Sequence, residues 1–350
     1  KRQAHNRWDG EISAVYRPSF HEVIAPPFLA GGRTLEVTIP GDPVDAAVIN
    51  VTVVGPQAAG YVTAYPCDQP RPLASNLNYI SADVVANLVV ARPDADRKVC
   101  LFTYATTDLV VDLAGGFPTG SGYDPVDNPF RLIDTRDGSG AARRRVGAGE
   151  TVKVTIPGDP LAAAVLNVTA VSPSDVGYIT AYPCDRPRPT ASNLNYAAGE
   201  VVANLVVARL DGDGGVCLFS FAETDLVVDF AGGFESGAGY RPVDNPVRLV
   251  DSRDGLGGSQ QRVAGGDTVV VPVPDAAGAS AVVLNVTAVS PSASGYITAY
   301  PCDRSRPETS NLNYAAGDVV PNLVVTRPDP NGNVCLFSLA ETDLVVDLAG

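Results

Sequence analysis

Six cysteines fall in three pairs, each pair 33 residues apart, and their type and spacing commit the chain to a definite chemistry. The pairs are Cys67 and Cys100, Cys184 and Cys217, and Cys302 and Cys335. Many pairings are open to six cysteines, but two per repeated segment favour one bridge within each: Cys67–Cys100, Cys184–Cys217 and Cys302–Cys335. In the chain-entropy description a bridge closing a loop of this size stabilises by about 3–4 kcal/mol. Such bridges belong to oxidising, extracytoplasmic settings. The competing chemistry is a zinc site. It is disfavoured because no copy has closely spaced cysteines and the second and third copies contain no histidine.

The remaining reactive side chains assemble no catalytic constellation. The histidines, His5 and His21, lie in an irregular N-terminal stretch, so a His-based triad cannot recur with the repeat. Carboxylates recur as Asp108/Asp112, Asp225/Asp229 and Asp343/Asp347, four apart on a strand face. That pattern reads as a solvated face rather than the acid and nucleophile of a glycosidase. No catalytic residue and no cofactor is assigned, and the chain is expected not to be an enzyme.

Three further groups invite a ligand or a glycan, and a fourth reads as an ion pair. The turn DGDGG offers Asp211 and Asp213 as oxygen ligands for Ca²⁺, although its counterparts, PDADRK from Pro93 and PDPNGN from Pro328, fit a plain hairpin turn better. Asn50, Asn167 and Asn285 each begin an NVT sequon, read here as an outward polar strand face. In SNLNY, Asn195 and Tyr196 can meet a sugar by hydrogen bonding and ring stacking; caps and Asx-turns explain the segment more simply. In RLIDTRDG, Asp134 and Arg136 share a face and read as an internal ion pair.

The elements that must position these residues come in three copies. LNVTAVSPS occurs at Leu166 and Leu284, GYITAYPCDR at Gly177 and Gly295, and AETDLVVD at Ala222 and Ala340. A looser first copy carries INVTVVGP from Ile49 and GYVTAYPCD from Gly60. A period of 117 or 118 residues is a whole domain rather than a solenoid turn. Apolar runs of four to eight β-branched residues, punctuated by Gly, Pro and Asp, predict seven or eight short strands per copy and no helix. The expected fold is all-β: three tandem antiparallel β-sandwich domains, over residues 1–122 (with an irregular 1–33), 123–239 and 240–350. GGFPTGSGYDPVDNP and GGFESGAGYRPVDNP read as stiff joints between them. The first strand of copy one is matched to AVYRPS near Ala14–Ser19.

Bulk composition narrows the class. A net charge of −14 repels phosphate backbones, which argues against nucleic acid. No apolar run is long enough to span a membrane as a helix. Three lysines against 22 arginines suggest a GC-rich bacterial genome. The absence of Met implies that the chain does not begin at a translation start. Residues 1–10 have no apolar core of a signal peptide, so any leader is expected to be removed or upstream. The interrupted motif at Gly350 implies that the natural chain runs on.

Taken together, RLIDTRDG, LNVTAV, GYITAYPC, SNLNY, ANLVVAR and DLVVDFAGGF resemble a tandem β-domain repeat family of secreted and cell-surface actinobacterial proteins. The resemblance covers nearly all of copies two and three and most of copy one beyond Arg33. It implies location more than activity. The expectation is an extracellular structural or adhesive repeat protein of the bacterial surface, able to act as the unit of a fibre or filament. The alternative is an array of carbohydrate- or wall-binding modules. Its partners would be further copies, neighbouring surface proteins or a glycan.

Overall fold

Alternating strands separated by turn residues build an architecture with no helix among the described residues, which are 22–24, 28–158, 160–237 and 239–350 of a computed structural model. Repeat one contributes β1 (Glu22–Ile24), β2 (Arg33–Thr38), β3 (Ala46–Val54), β4 (Gly60–Pro66), β5 (Leu77–Tyr79), β6 (Val84–Ala91), β7 (Lys98–Thr103) and β8 (Asp108–Phe117). Repeat two contributes β9 (Tyr123–Asp134), β10 (Thr151–Thr155), β11 (Leu161–Val171), β12 (Gly177–Pro183), β13 (Leu194–Tyr196), β14 (Val201–Arg209), β15 (Gly215–Ser220) and β16 (Asp225–Glu235). Repeat three contributes β17 (Val247–Asp251), β18 (Thr268–Pro272), β19 (Val282–Val289), β20 (Gly295–Pro301), β21 (Leu312–Tyr314), β22 (Val319–Thr326), β23 (Asn333–Ser338) and β24 (Asp343–Leu348).

Each repeat divides its strands between two antiparallel four-stranded sheets. In repeat two the orders are β9-β16-β11-β14 and β10-β15-β12-β13, and the other repeats follow the same scheme. Leu166, Val168 and Ala170 of β11 face Ile179, Ala181, Val216 and Leu218 of the partner sheet across one apolar core. Equivalent cores fill repeats one and three. To this point the sandwich expectation describes the pairing of sheets.

The sheets do not stop there, and the expectation of three tandem sandwich domains is corrected. The six sheets stand as the blades of a β-propeller-like ring. The inner strands follow one another around it: β6, β5, β14, β13, β22, β21 and back to β6. Repeat three therefore packs on repeat one, and the chain closes on itself. The physical reason lies on the second face of the long strands. Ala163 and Val165 of β11 point away from the repeat core, and with Ala46, Val48, Leu88, Leu205, Val283 and Leu323 they form a separate apolar hub shared by all three repeats. A strand that is apolar on both faces must be covered on both.

The joints belong to this hub. The supposed linker PVDNP lies within β9, and Tyr123 and Asp124 pair with Phe234 and Gly233. Phe117 stacks on Tyr123 at 4.7 Å and Phe234 on Tyr240 at 4.2 Å. Tyr123 and Tyr240 donate their hydroxyls to the carbonyls of Ala231 and Ala349. Gly232, at φ +136°, sits at the bulge where β9 crosses; a Cβ there would meet the Tyr123 hydroxyl at 2.5 Å. A side chain on Gly233 would overlap Leu161. The glycine pair is required by close approach.

Polar closure accompanies the apolar hub. Asn87, Asn204 and Asn322, at equivalent positions on the inner strands, are at most 1% exposed. The Oδ1 of Asn87 accepts the outward N–H of Leu205 at 3.3 Å, that of Asn204 accepts Leu323 at 3.4 Å, and that of Asn322 accepts Leu88 at 3.2 Å. Their amides donate within their own repeat to the carbonyls of Asn76, Asn193 and Asn311. They also donate across repeats to the Oδ1 atoms of Asn167, Asn285 and Asn50. Those second asparagines in turn donate to the carbonyls of Ser75, Ser192 and Ser310 of the preceding repeat in the ring. The circuit closes after three repeats.

His5, His21 and Ala14–Ser19 lie outside the described residues. The first-strand position of repeat one is instead filled by Glu22–Ile24, whose backbone pairs with Asp112–Val110 as Arg131–Asp134 pairs with Asp229–Val227. A closed ring of this length has a radius of gyration of about 20 Å, whereas three separate domains on a string give above about 30 Å. Small-angle scattering of the oxidised chain is expected to return the smaller value.

Candidate functional site

In repeat two the sheet β10-β15-β12-β13, like its counterparts, owes its second face to strict alternation. On β12, Ile179 and Ala181 enter the core and leave Tyr178, Thr180 and Tyr182 on the opposite face; on β15, Val216 and Leu218 do the same and leave Cys217 and Phe219. Cys184–Cys217 bridges this face with Cα atoms 5.0 Å apart, and the bridges Cys67–Cys100 and Cys302–Cys335 do so in the other repeats. Each bridge fixes the start of the Arg/Pro loop that follows its first cysteine. The far side of that loop is held by the next repeat: Asn128 Nδ2 donates to the Pro70 carbonyl at 2.8 Å, and Asn245 Nδ2 to Pro187 at 2.9 Å.

The loop lays an arginine over the sheet. The Arg188 guanidinium lies 3.6 Å from the Phe219 ring centroid, Phe219 is 6.0 Å from Tyr178, and Tyr178 stacks on Phe221 at 5.1 Å. Repeat one gives Arg71, Phe102, Tyr61 and Tyr104 at 3.7, 6.0 and 5.3 Å. Repeat three gives Arg306, Phe337 and Tyr296 at 3.6 and 6.0 Å, with Leu339 at the last position. The terminal side chains stand out into solvent: Tyr104 is 59% exposed, Phe221 53% and Leu339 45%. Guanidinium over a ring face is a cation–π arrangement. The result is the same arginine-capped ladder three times around the ring.

The residues singled out in the sequence take other places. Tyr196 is 4% exposed. Its ring lies on Gly177, where a Cβ would approach within 2.8 Å, and its hydroxyl is shared with Ser220 Oγ at 3.1 Å and accepts the Ala222 N–H. It locks the sheet and presents no face to a ligand. Asn195 is half-buried beside it on β13, opposite Tyr178. SNLNY nonetheless has a recognition role inside the ring, because its Ser carbonyl receives the asparagine of the next repeat. The sequon asparagines, read as outward, are buried and already bonded across repeats.

Asp211 and Asp213 form the expected hairpin turn. Asp211 Oδ1 accepts the N–H groups of Asp213 and Gly215, and Lys153 Nζ lies 2.8 Å from its other oxygen. Burial acts to raise the Asp211 carboxyl, but Lys153 and these N–H donors hold it below its ordinary range. A lysine occupies the place a cation would take. No cluster of three or more metal-ligating side chains occurs among the described residues.

The paired carboxylates, expected on a wet face, are corrected. Asp229 and Asp347 are buried; Arg131 Nε lies 2.6 Å from Asp229, and Arg248 Nε lies 2.9 Å from Asp347. The same arginines reach Asp134 and Asp251, which also take Arg136 and Arg253, so the ion pair of Asp134 with Arg136 is present and larger than expected. Arg131 further donates to the Leu73 carbonyl of repeat one, tying this network to the joint. Asp134 is held below its usual range by its hydrogen bonds from Arg136, whereas burial pushes Asp229 up against the pull of Arg131. The carboxylates are structural pins.

The ladder escaped the sequence reading, although GYxTAYPC and VCLFxF carry its signal in aromatic residues at alternate positions between core residues. Comparison with known proteins adds nothing to the geometry. No family model matches the chain, and no curated protein matches it. Among solved structures, the triple jelly roll fold and turret assembly of an archaeal virus overlaps 95% of this chain and 89% of its own, at 10% identity and a TM-score of 0.24. A Sulfolobus turreted icosahedral virus structure overlaps 95% and 90% at 10% identity and 0.23. The PBSX exported protein XepA overlaps 65% and 92% at 11% identity and 0.20. At such scores the overlaps carry no argument about fold or function.

Removing a pin should leave a buried charge uncompensated. Arg131→Ala is expected to lower stability by about 2–4 kcal/mol at pH 7, after allowance for the arginine's partial exposure. Without the guanidinium the Asp229 carboxyl rises further, so the variant's deficit shrinks as pH falls through that raised value and the buried acid becomes neutral. Urea unfolding at pH 7.5 and pH 5 measures both. An equal deficit at both pH values would show that the carboxylate is not the cause.

Proposed function

We propose that this chain is a non-catalytic extracellular protein of the bacterial surface with a structural and adhesive role, in keeping with the actinobacterial repeat family its motifs resemble. The observation that carries the reading is the closed ring itself: three related repeats locked by buried polar and apolar contacts, each turning an arginine-capped phenylalanine and tyrosine outward. A rigid body with three like-built faces, two of them ending in an aromatic ring, suits attachment at several points, where individually weak contacts gain strength together. Three disulfides agree with an extracellular setting, and no described helix is long and apolar enough to cross a membrane.

The fibre version changes in one respect. The inner strands are taken up by the hub, so growth of a filament would have to use the outer edges, β1, β9 and β17 or β2, β10 and β18. Its repeating unit would be the whole ring. The second reading, a carbohydrate- or wall-binding array, is favoured by the exposed ends of the ladders at Tyr104 and Phe221.

Incubation of the oxidised chain with purified actinobacterial cell envelopes tests the reading. Saturable retention without release of wall fragments is the expected result. Absence of retention, or turnover of envelope material, would contradict it.

A further inference from the structure

Two arginine positions are occupied in all three repeats. Arg92, Arg209 and Arg327 each pair with a carboxylate, that of Asp68, Asp185 or Asp303. Arg71, Arg188 and Arg306 do not: each lies on a phenylalanine, and none forms an ion pair with a described carboxylate. In a chain carrying 39 acidic and 25 basic residues, an exposed guanidinium left without a carboxylate three times over is a selective omission. Stacking occupies one face of the guanidinium and leaves its in-plane N–H donors available, the geometry that suits a carboxylate or phosphate.

The other end of the ladder is apolar. Tyr61 and Tyr104, or Tyr178 and Phe221, present stacked rings, one half-buried and one exposed, on the same sheet face as the arginine. Sugar rings carry axial C–H groups that pack on aromatic faces, and an acidic sugar adds the anion that the guanidinium lacks. We propose that each ladder is a binding site for an anionic oligosaccharide, the sugar faces lying on the exposed aromatic end and the acidic group on Arg71, Arg188 or Arg306. Leu339 in repeat three replaces the terminal aromatic, so the chain has two strong sites and a third weaker one. The hub sets the three sites around one axis, which gives avidity toward a polymer that presents the same acidic unit repeatedly.

The proposal rests on the surface-attachment reading and narrows it to one ligand chemistry. Calorimetric titration of the oxidised chain with tetragalacturonate, and with the neutral cellotetraose, tests it. Tetragalacturonate should bind with a stoichiometry near two, at least about tenfold more tightly than cellotetraose, and should weaken as salt is raised. The triple variant Arg71→Gln, Arg188→Gln, Arg306→Gln should abolish the preference for the acidic sugar. The double variant Tyr104→Ala, Phe221→Ala should weaken both sugars at least about tenfold; these residues are exposed, so circular dichroism should be unchanged. Equal binding of the two sugars, unchanged binding in either variant, or competition by polyphosphate as strong as that of tetragalacturonate would overturn the proposal. If envelopes still retain the triple variant as they do the native chain, this site falls while the attachment reading stands; if envelopes never retain the native chain, the attachment reading itself falls.

Discussion

Everything in this molecule depends on how three edge strands bury a backbone edge that no further strand pairs. The inner strands β6, β14 and β22 end their sheets, and an unpaired N–H inside a protein costs about 1–3 kcal/mol. Each is answered by one side chain from the preceding repeat: Asn87 for Leu205, Asn204 for Leu323, Asn322 for Leu88. Asparagine suits the position because its amide supplies two donors while its oxygen accepts. Both donors are used, one inside the repeat and one on the sequon asparagine across the joint. Because each repeat answers the next, the relation is satisfied only when the last answers the first.

Much of one repeat was legible in the sequence. Apolar runs of four to eight residues with period two pointed to the strands, the cysteine spacing to the bridges, and DGDGG to its turn. What misled was the polar half of the alternation. Asn167, Thr169 and Asp229 alternate with core residues as solvent-facing residues do, and period two alone cannot tell water from a second buried polar surface. Here Asn167 bonds to the preceding repeat, Thr169 is buried, and Asp229 meets the half-buried Arg131. A hint was present in Val165 and Ala163, which share that face with Asn167 and have no reason to be wet. Closure itself had no local signal, since the partners in Asn50 and Ser310 are separated by 260 residues.

The motifs that recur in the sequence thus divide by use. LNVT and SNLNY are two halves of one inter-repeat contact, and GGF with the following GY supplies the hub. RLIDTRDG pins the first strand of its sheet to Asp229 or Asp347 and, through Arg131, to the preceding repeat. GYxTAYPC serves two ends: Gly177 admits the Tyr196 ring, while Tyr178 belongs to the outward ladder. With the asparagines of the inner strands committed to closure, the Arg/Pro loops and the aromatic face beneath them remain among the parts of each repeat that face outward.

The most direct test of closure follows one amide. Leu88 belongs to repeat one and its N–H donates to Asn322 of repeat three. In a closed ring Asn322→Ala should speed hydrogen exchange at the Leu88 amide by at least about tenfold, because the lost bond lies across the joint. Amides in the core of repeat two, such as Leu218, should change far less. A Leu88 amide that already exchanges freely in the native chain, or that ignores the substitution, would mean that the third repeat does not meet the first.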